Sequence, residues 1–385
     1  MANLKPKILC AVGTRPDLIK TAPVVLELKK HSSQVDTILV STGQHREMLQ
    51  QGLLTFGLNV DYDLDIMSHG QSLAQITVRA LEGLDKFLAQ IKPDFVLLQG
   101  DTTTTFAAGL ACFYRQIDFG HIEAGLRTGT MDQPFPEEFN RRAVDLFACQ
   151  HYAPTLWAAT NLYHEHVSDE KVFITGNTGI DSVKFIANHV EQKWFHNRKE
   201  RIMLLTTHRR ESWGEPQRRI ALAMKKLLDQ FEDTLLVVSM HPNPHVRETL
   251  IPMLGDHPRV ELIDPPHYAD FVKLMQRSHL IFTDSGGIQE EAPTFGIPVL
   301  IVRESTERPE GIQAGTSILV GTNTDRIYEE ASRLLEDPNA YQMMAKAISP
   351  YGDGQAAKRI RYLTFNHLNI ETPKELMWIS SKQSY

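Results

Sequence analysis

The chain has 385 residues, 42% hydrophobic and 23% charged, with a net charge of −7. That length suits two α/β domains better than one core, and the acidic balance excludes a global field for nucleic acid or an anionic membrane surface. No apolar run reaches membrane-spanning length, the first apolar stretch is too short for a signal peptide, and Cys10, Cys112 and Cys149 show no CxxC spacing, so a cytoplasmic protein with reduced thiols is expected.

Short β-rich runs alternate with helical patterns from the start. Strands are expected at 8–12, 37–41, 95–98, 118–122 and 172–175, with helices at 19–30, 73–90 and 105–114 between them. Residues 190–201 turn polar and charged, which marks an interdomain linker. A second series follows, with strands at 202–206, 235–239, 261–263, 280–283, 298–302 and 318–320 and helices at 220–231, 271–277 and 327–335. The expected fold is α/β, two Rossmann-like doubly wound domains facing a central cleft, with ligands at the carboxyl ends of the strands. The boundaries are 1–190 for the first domain and 201–354 for the second. A terminal helix at 355–368 is expected to pack back on the first domain, and 369–385 to form a mobile tail.

The chemistry-bearing motifs sit at strand ends. Gly13-Thr14-Arg15-Pro16 closes the first strand, with Lys20 one turn into the next helix. Two cations flanking a helix start suit a phosphate. Asp101 closes a later strand in Gly100-Asp101-Thr102-Thr103-Thr104-Thr105, where four threonines are too many for a core. Glu123 closes the next in His121-Ile122-Glu123-Ala124-Gly125-Leu126-Arg127, and Glu137 and Glu138 open a helix that also carries Arg141 and Arg142. Each acid alone is an ordinary cap or dipole partner. Together, Asp101, Glu123 and Glu137 form a set for proton transfer, with Arg127, Arg141 and Arg142 near enough to keep them ionised or to touch a ligand.

The second series opens with Thr207-His208-Arg209-Arg210, a histidine and two arginines in a strand-end loop that suit a phosphate-side acid and clamp. Asp284-Ser285-Gly286-Gly287-Ile288-Gln289-Glu290-Glu291 has the pattern of a diphosphate cradle. Two glycines expose backbone N–H groups at a helix start, and Glu291 stands one turn on to accept ribose hydroxyls. Thr306-Glu307-Arg308-Pro309-Glu310 adds a charged loop at the same edge. No histidine spacing suits zinc, and GxGxxG is missing, so neither a metal nor a nicotinamide is indicated.

These motifs, with Gln44-His45-Arg46-Glu47 and Pro350-Tyr351-Gly352-Asp353-Gly354, resemble the bacterial non-hydrolysing UDP-N-acetylglucosamine 2-epimerases from about residue 7 to 368. The resemblance implies a glycosyltransferase-B-type fold, a homodimer and no cofactor. It implies anti-elimination of UDP from a UDP-N-acetylhexosamine to 2-acetamidoglucal, followed by re-addition after reprotonation on the other face. By position, Asp101, Glu123 and Glu137 match the acid/base carboxylates and His208 the essential histidine. Arg15 and Lys20 match phosphate-side cations, and Ser285, Gly286, Gly287 and Glu291 the UDP site, with Arg141 and Arg308 beside the substrate. The resemblance also implies a second, allosteric UDP-N-acetylglucosamine site at Gln44, His45, Gln71 and Arg210.

The sequence departs from the pattern at Asp17-Leu18, Thr207, Phe135, Phe139 and His245. The two phenylalanines flank Glu137, which leaves a related UDP-2-acetamido sugar as an alternative substrate. A hydrolysing epimerase, a retaining glycosyltransferase and a UDP-sugar sensor are the other readings. The transferase has no use for three first-domain acids, and the sensor has none for His208 besides.

Overall fold

In a computed structural model of the chain, which describes residues 5–43, 46–66 and 70–378, the first series of runs forms a seven-stranded sheet. Its strands are β1 (Lys7–Val12), β2 (Asp36–Ser41), β3 (Tyr62–Asp63), β4 (Phe95–Gln99), β5 (Phe119–Ile122), β6 (Gln150–Ala153) and β7 (Val172–Ile174). They lie in the order β3-β2-β1-β4-β5-β6-β7, and every pairing is parallel. The second series forms β8 (Arg201–Thr206), β9 (Thr234–Ser239), β10 (Val260–Ile263), β11 (Leu280–Thr283), β12 (Val299–Ile301) and β13 (Ser317–Leu319). These run β10-β9-β8-β11-β12-β13, again all parallel.

Helices cover both sheets, so the central strands read as unbroken apolar runs, as parallel sheets require. Phe95 to Gln99 are all buried, as are Leu280 to Thr283 and Val299 to Ile301. The helix Glu215–Gln230 buries Ile220, Met224, Leu227 and Leu228, one stripe at helical spacing, against the second sheet. In each sheet the order reverses beside the first strand of its series, β1 or β8. The loops after β1 and β4, and after β8 and β11, therefore splay apart at the carboxyl edge, where open sheets bind ligands. Those four loops carry the Gly13, Asp101, His208 and Asp284 motifs.

The chain divides into two compact units. One runs to Ser182 and resumes at Tyr351, and the other spans Val183–Pro350. The first crossing lies inside the helix Thr178–His189. The polar stretch after that helix belongs to the second unit, where Gln192 Nε2 donates to the Lys273 carbonyl at 2.7 Å. The helix Ala356–His367 lies against the helix Arg15–Lys29 in the first unit, with Arg361 Nε 3.3 Å from Glu27 Oε1. Residues 369–378, expected to be mobile, are tied to that unit. Trp378 N donates to the Ile174 carbonyl at 2.9 Å, and Arg359 Nε to the Leu376 carbonyl at 2.6 Å. Backbone groups of an aperiodic segment are satisfied here by Arg359 and a sheet edge, partners that composition does not disclose. No helix among the described residues is long and apolar enough to cross a membrane.

Candidate active site

In the first unit, β1 ends at Gly13, and Thr14 caps the helix Arg15–Lys29 through a capping box with Asp17. Asp17 Oδ2 accepts from Gly13 N (3.2 Å), Thr14 N (3.1 Å) and Thr102 Oγ1 (3.2 Å), tying the first loop to the Asp101 loop. Burial raises its carboxyl to about 6, and those donors pull the other way. The threonines after Asp101 are more interior than composition suggested. Thr103, Thr104 and Thr105 are buried, with Thr105 Oγ1 donating to the Gln99 carbonyl at 2.6 Å and Thr104 Oγ1 3.0 Å from Thr42 Oγ1. A side chain at Gly13 would strike Thr104, so the two loops meet backbone against threonine.

Glu123 stands just past β5 with φ of +69°, a left-handed backbone rare for a residue with a Cβ. Such strain concentrates at functional positions because the surrounding structure has to impose it. One oxygen of Glu123 pairs with Lys20, and the other accepts from Gln99 Nε2 at 2.6 Å. Lys20 is thus a partner of the acid. Asp101 pairs with Arg141, and its carbonyl accepts from Asn140 Nδ2 at 2.9 Å. A Cβ at Gly100 would lie 3.5 Å from Glu123 Oε2, so the Asp101 turn and the Glu123 carboxylate are neighbours.

The helix Glu137–Asp145 brings Asn140 and Arg141 to that turn and separates the two glutamates at its start. Glu138 is fully buried, taking Thr128 N at 3.1 Å, Arg141 at 3.3 Å and Arg142 at 3.2 Å. Glu137 is half-buried and makes no hydrogen bond or ion pair among the described residues, which leaves it the carboxylate available to a ligand. Arg15 is half-buried at the first helical position.

In the second unit the loop after β8 hangs on Asp284. Its fully buried carboxylate accepts from His208 N (2.9 Å), Arg209 N (3.0 Å) and Ser212 Oγ (2.9 Å), and lies 3.0 Å from His208 Nδ1. Burial would raise its pKa, but His208 and the amides outweigh it and hold the carboxyl below the usual range. His208 is thereby fixed in ring orientation, an arrangement that presents Nε2 for acid/base work. Ser285 caps the short helix Gly286–Glu291 without a side-chain hydrogen bond, and a Cβ at Gly287 would meet nothing within 4 Å. Arg308 Nε donates to Glu290 at 2.8 Å, and Tyr268 Oη donates to Glu291 Oε1 at 2.9 Å.

Of the positions expected in a second ligand site, Gln44 and His45 lie outside the described residues, Gln71 is half-buried and Arg210 is exposed. Among the described residues one trio of metal-ligating side chains lies within mutual reach. It is Asp118, Cys149 and His367, with Asp118 and Cys149 at the amino ends of β5 and β6, the edge opposite the acids.

Sequence reasoning missed three residues as partners: Asp284 as the anchor of His208, Gln99 on Glu123, and Asp145, which accepts from Gly125 N at 3.3 Å and Arg127 at 2.7 Å. Gly125 itself is legible as a constraint. Its φ is +84°, and a Cβ there would sit 2.8 Å from the Ala158 carbonyl carbon and 3.0 Å from Leu162 Cγ. Gly125→Ala should therefore cost more than about 3 kcal/mol, strain and overpacking together, seen as a lowered urea midpoint.

Residues 26–363 match the family model described as UDP-N-acetylglucosamine 2-epimerase. The chain is 48% identical over 361 residues to the UDP-N-acetylglucosamine 2-epimerase of Bacillus subtilis, covering 92% of this chain and 94% of that one. It is likewise 48% identical over 365 residues to the Escherichia coli K12 enzyme of that name, covering 92% and 97%. The crystal structure of the Neisseria meningitidis UDP-GlcNAc 2-epimerase bound to UDP-GlcNAc aligns with a TM-score of 0.83 at 44% identity, over 94% of this chain and 100% of that one. With its family model matched over most of its length and relatives 48% identical over most of both chains, the chain belongs to the UDP-N-acetylglucosamine 2-epimerase family.

Proposed function

We propose that this enzyme interconverts UDP-N-acetylglucosamine and UDP-N-acetylmannosamine reversibly, without hydrolysis. The observation that carries this is the pairing of Asp101 with Arg141 and of Glu123 with Lys20 at neighbouring strand ends, in a chain of this family. Each carboxylate is held in place by a cationic partner.

The C2–H of a hexosamine is not acidic enough to be removed directly. When the C1–O bond breaks, its electron pair leaves on the β-phosphate of UDP and positive character grows at C1, which acidifies C2–H. A carboxylate takes that proton, the C–H pair becomes the C1=C2 double bond, and 2-acetamidoglucal results. A second acid then protonates C2 from the other face as the UDP oxygen re-forms its bond to C1. Atoms and charge balance, and no cofactor enters.

The residues divide accordingly. Ser285, Gly286 and Gly287 offer backbone N–H groups to the diphosphate, and Glu291 faces the ribose. His208, held by Asp284, meets the charge that develops on the leaving phosphate. Asp101, Glu123 and Glu137 handle the C2 proton.

Incubation with UDP-N-acetylglucosamine in deuterated water, followed by NMR, tests the reading. Both epimers should appear and both should carry deuterium at C2. Protium retained at C2 through turnover would exclude elimination. Accumulation of free N-acetylmannosamine with stoichiometric UDP would favour the hydrolysing alternative.

A further inference from the structure

His121 lies directly beneath the acids and has no part in the chemistry above. Its side chain is fully buried in β5, with Nδ1 2.6 Å from Asp145 Oδ1 and Nε2 2.7 Å from the Gly100 carbonyl. A neutral imidazole has one N–H and one lone pair, and here the lone pair would face an acceptor. An imidazolium donates to both. Protonating Asp145 instead is disfavoured, because its other oxygen already accepts from Arg127 at 2.7 Å and Gly125 N at 3.3 Å.

The charges around this residue close on themselves. From Asp101 the ion pairs run to Arg141, on to Glu138 at 3.3 Å and Arg142 at 3.2 Å, and then to Glu165 at 3.7 Å. From Glu165 they continue to Arg127 at 2.6 Å, Asp145 at 2.7 Å and His121, whose second nitrogen returns to Gly100, the neighbour of Asp101. Four carboxylates thus alternate with three guanidinium groups and one imidazole, and the ring is neutral only if His121 is charged. The link through Arg142 and Glu165 is partly exposed, whereas the His121–Asp145 pair is sealed.

We propose that His121 is a positioning residue, held as an imidazolium at neutral pH, that fixes the Gly100–Asp101 turn and, through Asp145, the Glu123–Gly125 loop. Its catalytic consequence rests on the epimerase reading, while its charge state does not. The other groups facing this pair are consistent with that charge. His151, the cross-strand neighbour of His121, lies with Nε2 2.9 Å from the Asp145 carbonyl and Nδ1 3.3 Å from the Lys171 carbonyl, and burial lowers its pKa. Burial alone would lower His121 too, but Asp145 and the Gly100 carbonyl outweigh it and raise it above 6.5. The Asp145 carboxyl, despite burial, is drawn down to about 2 by His121, Arg127 and His151. With its folded pKa raised, the hold of His121 is fully present below the ordinary imidazole value and is lost as pH rises through the folded one.

The test uses the full chain labelled with ¹⁵N-histidine. At pH 7.5, two-bond ¹H–¹⁵N spectra should show one histidine with both nitrogens protonated, absent from His121→Gln. A neutral tautomer there would overturn the proposal whatever the activity. In His121→Gln, kcat should fall roughly 100-fold, the loss expected from ångström-scale misplacement of reacting groups, with UDP affinity within about twofold. A folded His121→Gln with near-normal kcat would also overturn it. If that variant does not fold, the wild-type spectrum alone decides. Failure of the epimerase reading is distinguishable, because the wild type itself would then not produce the manno epimer.

Discussion

Glu123→Gln should lower kcat for epimerisation by about 100-fold or more, the usual size of a lost general acid or base. Asp101→Asn and Glu137→Gln should do the same. The three differ in what else they disturb. Glu123→Gln removes the carboxylate that pairs with Lys20, and Asp101→Asn removes one of the two that pair with Arg141, so both should also lower the thermal midpoint. Glu137 has no such partner among the described residues, and its variant should keep wild-type stability. None should change UDP affinity by more than about twofold, because the glycine cradle and Glu291 belong to the other unit. Glu291→Gln should behave in reverse, weakening UDP with a smaller effect on kcat. Titration calorimetry with UDP beside steady-state kinetics separates these outcomes. Near-normal kcat in both Glu123→Gln and Glu137→Gln would remove the catalytic assignment.

Much of this was legible because parallel α/β sheets announce themselves in alternating apolar runs and place their ligand loops at one edge. Leu280–Thr283 is expected and found over the same residues, and most other strands differ by a residue or two at their ends. Two strands were invisible for a physical reason. Tyr62–Asp63 is a two-residue edge pairing with no pattern of its own, and Gln150–Ala153 buries Gln150, His151 and Tyr152 through hydrogen bonds that hydropathy counts as polar. The left-handed backbone of Glu123 was equally hidden, since nothing in a glutamate advertises it.

The acids themselves could be read from strand-end position, but their partners could not. Lys20 meets Glu123 across 103 residues, and Asp284 meets His208 across 76. Such pairings are products of topology, set by which strands lie side by side. The strand order brings β1 against β4 and β8 against β11, and only then do the loops that follow them share carboxylates. The sequence separates Glu137 from Glu138 by one position. The helix separates them by about 100°, enough to bury one among arginines and leave the other half-exposed.

Asp284→Asn should be the most damaging single change in the second unit, for stability and turnover alike. The wild-type carboxylate is fully buried and serves two backbone amides, the Ser212 hydroxyl and the His208 ring. Asparagine keeps the volume but turns an NH₂ toward groups that are themselves donors, leaving some of them unmatched. Leaving a buried donor without its acceptor in this way costs about 1–3 kcal/mol, which a urea midpoint at pH 7 should report. Turnover should fall by roughly 100-fold or more, as when a base loses the group that orients it. The pH dependence follows from the sign of the Asp284 shift. Its folded pKa lies below the ordinary value, so its contribution is present above the unfolded carboxyl value and is lost as pH falls through the folded one. The stability gap between wild type and Asp284→Asn should therefore be open at about pH 5 and close only below about 4. No gap at pH 7 would show that His208 is held by something other than this carboxylate.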